Sequence, residues 1–200
     1  MPLAIKIDFE WRVYPNYRLE RGNGSSPLVV GSGPPLSTRP SDQFPGLYLE
    51  LANADRSDLG HLAFAKKYGL LTCEKMEPTD DWPKRVEAMS DLVKLVDDKR
   101  YWAIRKGRYS HQELRESFTL RYERDRNADE ISLAIVPSQL FAALVLQCVS
   151  NRASGGRIRA CKACGTAFEV GGTSGRRSHR EYCSDKCRYE FAHRDRSVKE

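Results

Sequence analysis

Apolar and polar residues alternate strictly along residues 3–13. Leu3, Ile5, Ile7, Phe9, Trp11 and Val13 fall on one face, and Lys6, Asp8, Glu10 and Arg12 on the other. A period of two is the mark of a half-buried strand. Pro15-Asn16 then signals a turn, after which residues 17–21 can pair back. Residues 22–46 contain five Gly, five Pro and five Ser, the composition of a loop or extended linker, with room for a short strand at Leu28-Val29-Val30.

The period changes to that of helices beyond this stretch. Leu47 to Ala54 is apolar. Ser57 can cap a helix carrying Leu59, Leu62, Ala63 and Tyr68 at helical spacing, with Gly69 as its stop. Trp82, Val86, Met89, Val93 and Val96 form one stripe on a long helix that can run to Lys106, with Gly107 as the C-terminal signal. Ser110-His111-Gln112-Glu113 has the capping-box pattern of a further short helix. Residues 118–123 and 130–136 read as two strands around a polar turn, and Ser138 as the cap of a buried helix over Leu140–Val149. No internal repeat or heptad pattern is present.

Composition places this pattern among soluble globular proteins. The chain has 200 residues, a formal charge of +6, 40% hydrophobic residues and 10% aromatics, too apolar for a disordered chain. Its first ten residues lack the apolar run and small-residue cleavage site of a signal peptide. A cytoplasmic location is therefore expected, with reduced cysteines. Residues 131–151 carry no charge, but Pro137-Ser138-Gln139 divides them into pieces too short to cross a bilayer, so no membrane partner is expected.

The basic excess lies at the end of the chain. Residues 157–200 hold 11 Lys and Arg against 6 Asp and Glu, and four of the six cysteines. About 40 residues build too small a core to fold without a staple. Cys161-x-x-Cys164-Gly165 and Cys183-x-x-x-Cys187, 18 residues apart, supply one. Two such pairs give the tetrahedral sulfur set of a single structural Zn²⁺. Ser184 stands where a helix N-cap would, so that Cys183 and Cys187 straddle the first turn of a helix from Asp185 to about Arg194. Residues 166–170 and 180–182 can form a hairpin between the pairs, with Phe168, Tyr182 and Phe191 as a small core. Knuckle, hairpin and helix make a treble-clef-like finger. Cys148 reads as a buried hydrophobe, and Cys73 receives no role.

Four cysteines leave a zinc ion no open position for water, which argues against a catalytic metal. The deaminase pattern H-x-E followed by P-C-x-x-C is approached by His111-Gln-Glu113 and Cys161-x-x-Cys164. However, Ala160 replaces the proline, and some 50 residues with a strand pair intervene. No other catalytic motif stands out, and no enzyme activity is expected. The basic residues Arg176, Arg177, Arg180, Arg188 and Arg194, interleaved with Tyr182, Tyr189 and Phe191, can neutralise phosphates of DNA or RNA. Alternatively, they are solvated or meet a protein partner; Glu181, Asp185, Glu190 and Asp195 dilute the patch.

Cys161-x-x-Cys164-Gly-x-x-Phe168, Arg176-Arg177 and Tyr182-Cys183-Ser184-x-x-Cys187-Arg188 together resemble the C-terminal finger of bacterial proteins related to the CGNR-type zinc-finger proteins. Some of these are stress-induced transcription regulators with an N-terminal ABATE domain. Residues 64–71 and 136–147 are also similar to that group. After Cys187 the chain reads Arg-Tyr-Glu-Phe, without the Gly-Asn-Arg that names the CGNR finger. The finger also resembles small gyrase-inhibitor zinc proteins, which bind a protein. The resulting expectation is an α+β protein: residues 1–150 a mixed domain with antiparallel strands and several helices, 151–158 a hinge, and 159–198 the zinc finger. Its expected role is regulation through nucleic acid, or else zinc-dependent protein interaction.

Overall fold

The computed structural model describes residues 5–21, 26–44, 46–72, 75–97, 117–125, 130–171 and 179–197. The alternating N-terminal segment forms two short strands, β1 (Ile5–Ile7) and β2 (Trp11–Val13). The alternation of burial survives the break: Phe9 and Trp11 are buried, Glu10 and Arg12 exposed. The break lets the two strands join different sheets. β1 runs parallel to β8 (Glu130–Pro137), which pairs antiparallel with β7 (Phe118–Asp125). β2 pairs antiparallel with β5 (Leu36–Thr38).

The Gly/Pro/Ser-rich stretch carries more structure than its composition suggests. β4 (Pro27–Ser32) pairs antiparallel with both β3 (Asn16–Arg21) and β6 (Met76–Pro78), and α1 (Pro40–Gln43) follows β5. Val29 is the reason: it is fully buried with Tyr17, Ala65 and Leu70 in a second, smaller core. Its glycines and prolines punctuate these elements rather than dissolve them.

α2 (Leu47–Ala52), α3 (Asp58–Tyr68), α4 (Trp82–Asp97) and α5 (Leu140–Ala153) enclose the main core. The Ser57 hydroxyl accepts from Gly60 N at 3.1 Å, capping α3. Gly69 ends it at φ +92°, a conformation that favours glycine. The buried face of α3 is Gly60, His61, Phe64, Ala65 and Tyr68, whereas Leu59 is 69% exposed. His61 turns the helix this way. Its ring stacks on Trp82 (centroids 4.7 Å, planes 4° apart), and its Nε2 lies 3.5 Å from the buried Glu77 carboxylate. The α4 stripe of Trp82, Val86, Met89 and Val93 is buried as the spacing predicts. The expected extension of α4 beyond Asp97 and the capping box at Ser110 lie outside the described residues.

α5 buries Leu140, Phe141, Ala142, Ala143, Leu144 and Cys148. It continues through Asn151 to Ala153, and a turn then leads into β9 (Arg157–Ala160). Residues 151–158 are thus the end of a helix, a turn and the start of a strand. β9 packs on α4, and its Ile158 belongs to the main core. Among the described residues, no helix is long and apolar enough to cross a membrane.

Candidate metal centre

β9 and β10 (Ala167–Val170) form an antiparallel hairpin, with Ala160 opposite Ala167 and Arg157 opposite Val170. This corrects the expected pairing of 166–170 with 180–182. The hairpin closes on the first cysteine pair because Arg157–Ala160 lies immediately before it. Among the described residues, 180–182 contribute instead the backbone bond from Lys162 N to Glu181 O at 3.1 Å. At the hairpin tip Cys161 N donates to Thr166 O (2.9 Å) and Gly165 N to Cys161 O (2.8 Å). Gly165 turns the chain at φ +75°, which glycine adopts without steric cost.

The second pair is placed by α6 (Asp185–Ser197). Ser184 caps it, its hydroxyl accepting from Cys187 N at 3.2 Å. Cys183 thus stands just before the helix and Cys187 in its first turn, as the sequence predicts. All four sulfurs lie within 4.8 Å of one another. Cys183 and Cys187 are 3.5 Å apart, and Cys164 is 3.7 Å from each. Sulfurs about 2.3 Å from a tetrahedral metal are separated by about 3.8 Å, and those of a disulfide by about 2 Å. The cluster has the spacing of a metal cage, and its four cysteines can hold one metal ion. Phe168 and Val170 are buried beneath it, and Tyr182 meets Phe191 at 5.5 Å. Of the expected small core, Phe168 and Tyr182 pack here with Val170, and Phe191 joins through its contact with the Tyr182 ring.

Electrostatics favours a cation here. Burial opposes ionisation of Cys161, but N–H groups of Cys183, Cys164 and Ala163 aimed at its sulfur bring its pKa down to about 6. The Thr166 hydroxyl, 3.2 Å away, and the Thr166 N–H also lower the Cys164 thiol. Burial and then the neighbouring thiols push Cys183 up to about 12. Without a cation, four sulfurs this close cannot all ionise; a dication removes that conflict. Cys148, outside the cluster and buried in α5, is pushed up to about 12 by burial, as befits a core residue.

The expected basic patch is only partly described. Arg176 and Arg177 lie outside the described residues, as does the side chain of Arg194 in α6. Arg180 donates to Tyr182 O at 2.8 Å and lies 3.7 Å from Asp185. Arg188 lies 3.8 Å from the same carboxylate and 5.3 Å from the Tyr189 ring. Lys162 pairs with Glu181 at 2.6 Å. Both described arginines therefore share one acidic partner at the start of α6. His179 is exposed and stands outside the cluster; His111, Glu113 and Cys73 lie outside the described residues.

Sequence reasoning missed the residues that dock this hairpin. Asn53, the C-cap of α2, donates to Ala167 O and accepts from Ala167 N, both at 3.1 Å. The fully buried Tyr48 donates its hydroxyl to Glu169. Asn151 of α5 donates to both, at 2.8 Å to Tyr48 and 2.9 Å to Glu169. Polar residues on apolar helices, such as Tyr48 and Asn151, were the available signal, but nothing local pointed Tyr48 or Asn53 to a strand more than a hundred residues away. Between α2, α3 and β10 a cleft of about 760 Å³ remains, lined among others by Leu49, Glu50, Phe64, Lys67, Thr166 and Cys183. No protein-family model, curated protein or solved structure matches the chain.

Proposed function

We propose that the protein is a zinc-dependent regulator whose C-terminal finger, a treble clef, contacts nucleic acid. The Cys161–Cys164–Cys183–Cys187 cage carries this reading, since its all-sulfur donor set and tetrahedral spacing suit Zn²⁺. The role of the metal is structural: four sulfurs fill the coordination shell, leaving no position for a reacting water. The knuckle on the hairpin and the capped first turn of α6 support the treble-clef assignment, and the resemblance to CGNR-type regulators supports the regulatory one. Four thiolates and one Zn²⁺ carry −2, so the excess of basic residues over 157–200 falls from +5 to +3.

The contact runs through Arg176, Arg177, Arg180, Arg188 and Arg194. Surface ion pairs such as those to Asp185 are weak and exchange readily for phosphate. The test is binding to duplex and single strands as a function of salt, on protein with its zinc content measured. The log of the affinity falls against log salt by about 0.9 for each duplex phosphate neutralised, and replacing Arg176, Arg177 and Arg180 flattens that slope. Absence of binding at low salt sinks the nucleic-acid reading and leaves the metal centre standing. A second reading, zinc-dependent protein interaction, is favoured by the cleft beside the cage and by the pairing of Arg180 and Arg188 with Asp185. It requires a partner recovered only with the metal-loaded protein and insensitive to nuclease.

A further inference from the structure

The four cysteines differ in what shields them. Cys161 is 3% exposed and receives Cys183 N at 3.4 Å. Cys183 and Cys187 are half-buried, while Cys164 is exposed. The described neighbour placed to restrain the Cys164 sulfur is Thr166, whose hydroxyl is 3.2 Å away and is the donor when that sulfur is a thiolate. Two further sulfurs stand 3.7 Å from it. The site thus combines an accessible sulfur, a hydroxyl beside it, and two nearby sulfurs able to resolve an oxidised form.

Resting on the zinc reading above, we infer that Cys164 is where hydroperoxides attack this centre and that the Thr166 hydroxyl sets how fast they do so. The Cys164 thiolate attacks one peroxide oxygen; the O–O bond breaks, and the other oxygen leaves as alkoxide or hydroxide and takes a proton from water. The resulting sulfenic acid is attacked by the thiolate of Cys183 or Cys187. The S–S bond forms, hydroxide departs and is protonated, and the two electrons lost by the two sulfurs have reduced one peroxide. Zinc keeps only two sulfur ligands and is released. Because Thr166 leads directly into β10, whose Ala167 and Glu169 hold it on α2 and α5, losing the metal also loosens that docking.

The experiment treats the full-length, zinc-loaded chain with hydrogen peroxide. It follows zinc with a chromogenic chelator and traps sulfenic acid with dimedone for peptide mapping. The first adduct forms on Cys164, and one zinc leaves per peroxide consumed. Thr166→Val, which keeps the backbone bonds of the knuckle, releases zinc roughly fivefold faster, because a hydrogen bond to a charged sulfur is lost; Thr166→Ser keeps the native rate. A first adduct on another cysteine, or a Thr166→Val protein with the native rate, overturns the inference while the zinc reading stands. Purified protein without bound zinc overturns the zinc reading itself, and this inference with it.

Discussion

The main domain and the C-terminal finger solve the same problem with different materials. The domain buries Trp82, Tyr48, Leu47, Leu51, Met89 and Leu144 almost completely, and apolar area alone can carry it. Among the described residues, the cysteine cluster has a far smaller apolar base: buried Phe168 and Val170, with Ala163 and Tyr182 packed against them. On the zinc reading, such a segment has little apolar area to fall back on when its ion leaves. Yet the two are not independent, since Ile158 of the finger hairpin sits in the domain core. The hairpin is thus held on one side by apolar contact with the main core and on the other carries the cysteine cluster.

Chelation should break the contrast most severely. Structural zinc contributes on the order of 10 kcal/mol to a small finger. Stripping it should make residues 161–197 sensitive to protease while α4 and α5 stay protected; a finger that stays resistant would falsify the metal staple. Trp82→Ala tests the other half. It should cost about 3–5 kcal/mol in denaturant unfolding, by the usual toll of deleting a buried aromatic, with the metal content unchanged.

Smaller effects probe polar groups inside and between the two regions. Burial opposes ionisation of Glu77, but the His61 ring 3.5 Å away and hydrogen bonds from Leu71 N and the Thr72 hydroxyl outweigh it, so its carboxyl titrates below the usual range. A folded value below the unfolded one means that Glu77 stabilises the protein above the ordinary carboxylate range. That stability is lost as pH falls through the lowered folded value. Glu77→Gln should flatten the acid side of the stability profile and cost about 1.5–3 kcal/mol at neutral pH, the worth of hydrogen bonds to a charged group. Tyr48→Phe leaves Glu169 without its hydroxyl donor and should cost about 1–2 kcal/mol; a double-mutant cycle with Glu169→Gln measures the docking directly. Ser184→Ala, which removes the cap of α6, should cost about 1 kcal/mol and weaken metal affinity by roughly the corresponding tenfold or less.

The candidate site was the more legible part of the molecule because its signal is local. Two cysteine pairs at ligand spacing and a capping serine state the cage within 27 residues, and the structure brings those sulfurs together. The β7–β8 pairing and the α4 stripe were legible for the same reason: each shows its period within one element. What escaped depends on distant partners. The β10 strand chose Arg157–Ala160 over 180–182, which no pattern within 166–170 could reveal. α3 turned its His61 edge inward because Glu77 and Trp82 wait there, and β1 runs parallel to a strand about 125 residues away. The strand at Leu28-Val29-Val30 was legible within the linker-like composition of residues 22–46, but the burial of Val29 was not, since it depends on Tyr17, Ala65 and Leu70.

Asn53 has a consequence beyond docking. Its side-chain amide offers Ala167 a donor and an acceptor in the arrangement that a neighbouring strand would use. The exposed margin of a two-stranded ribbon is an invitation to another chain, and through it to ordered aggregates. Here that margin is closed by a group that ends in a side chain and cannot pass the ladder on. One asparagine at the end of α2 therefore occupies, at Ala167, the edge to which another strand would otherwise add.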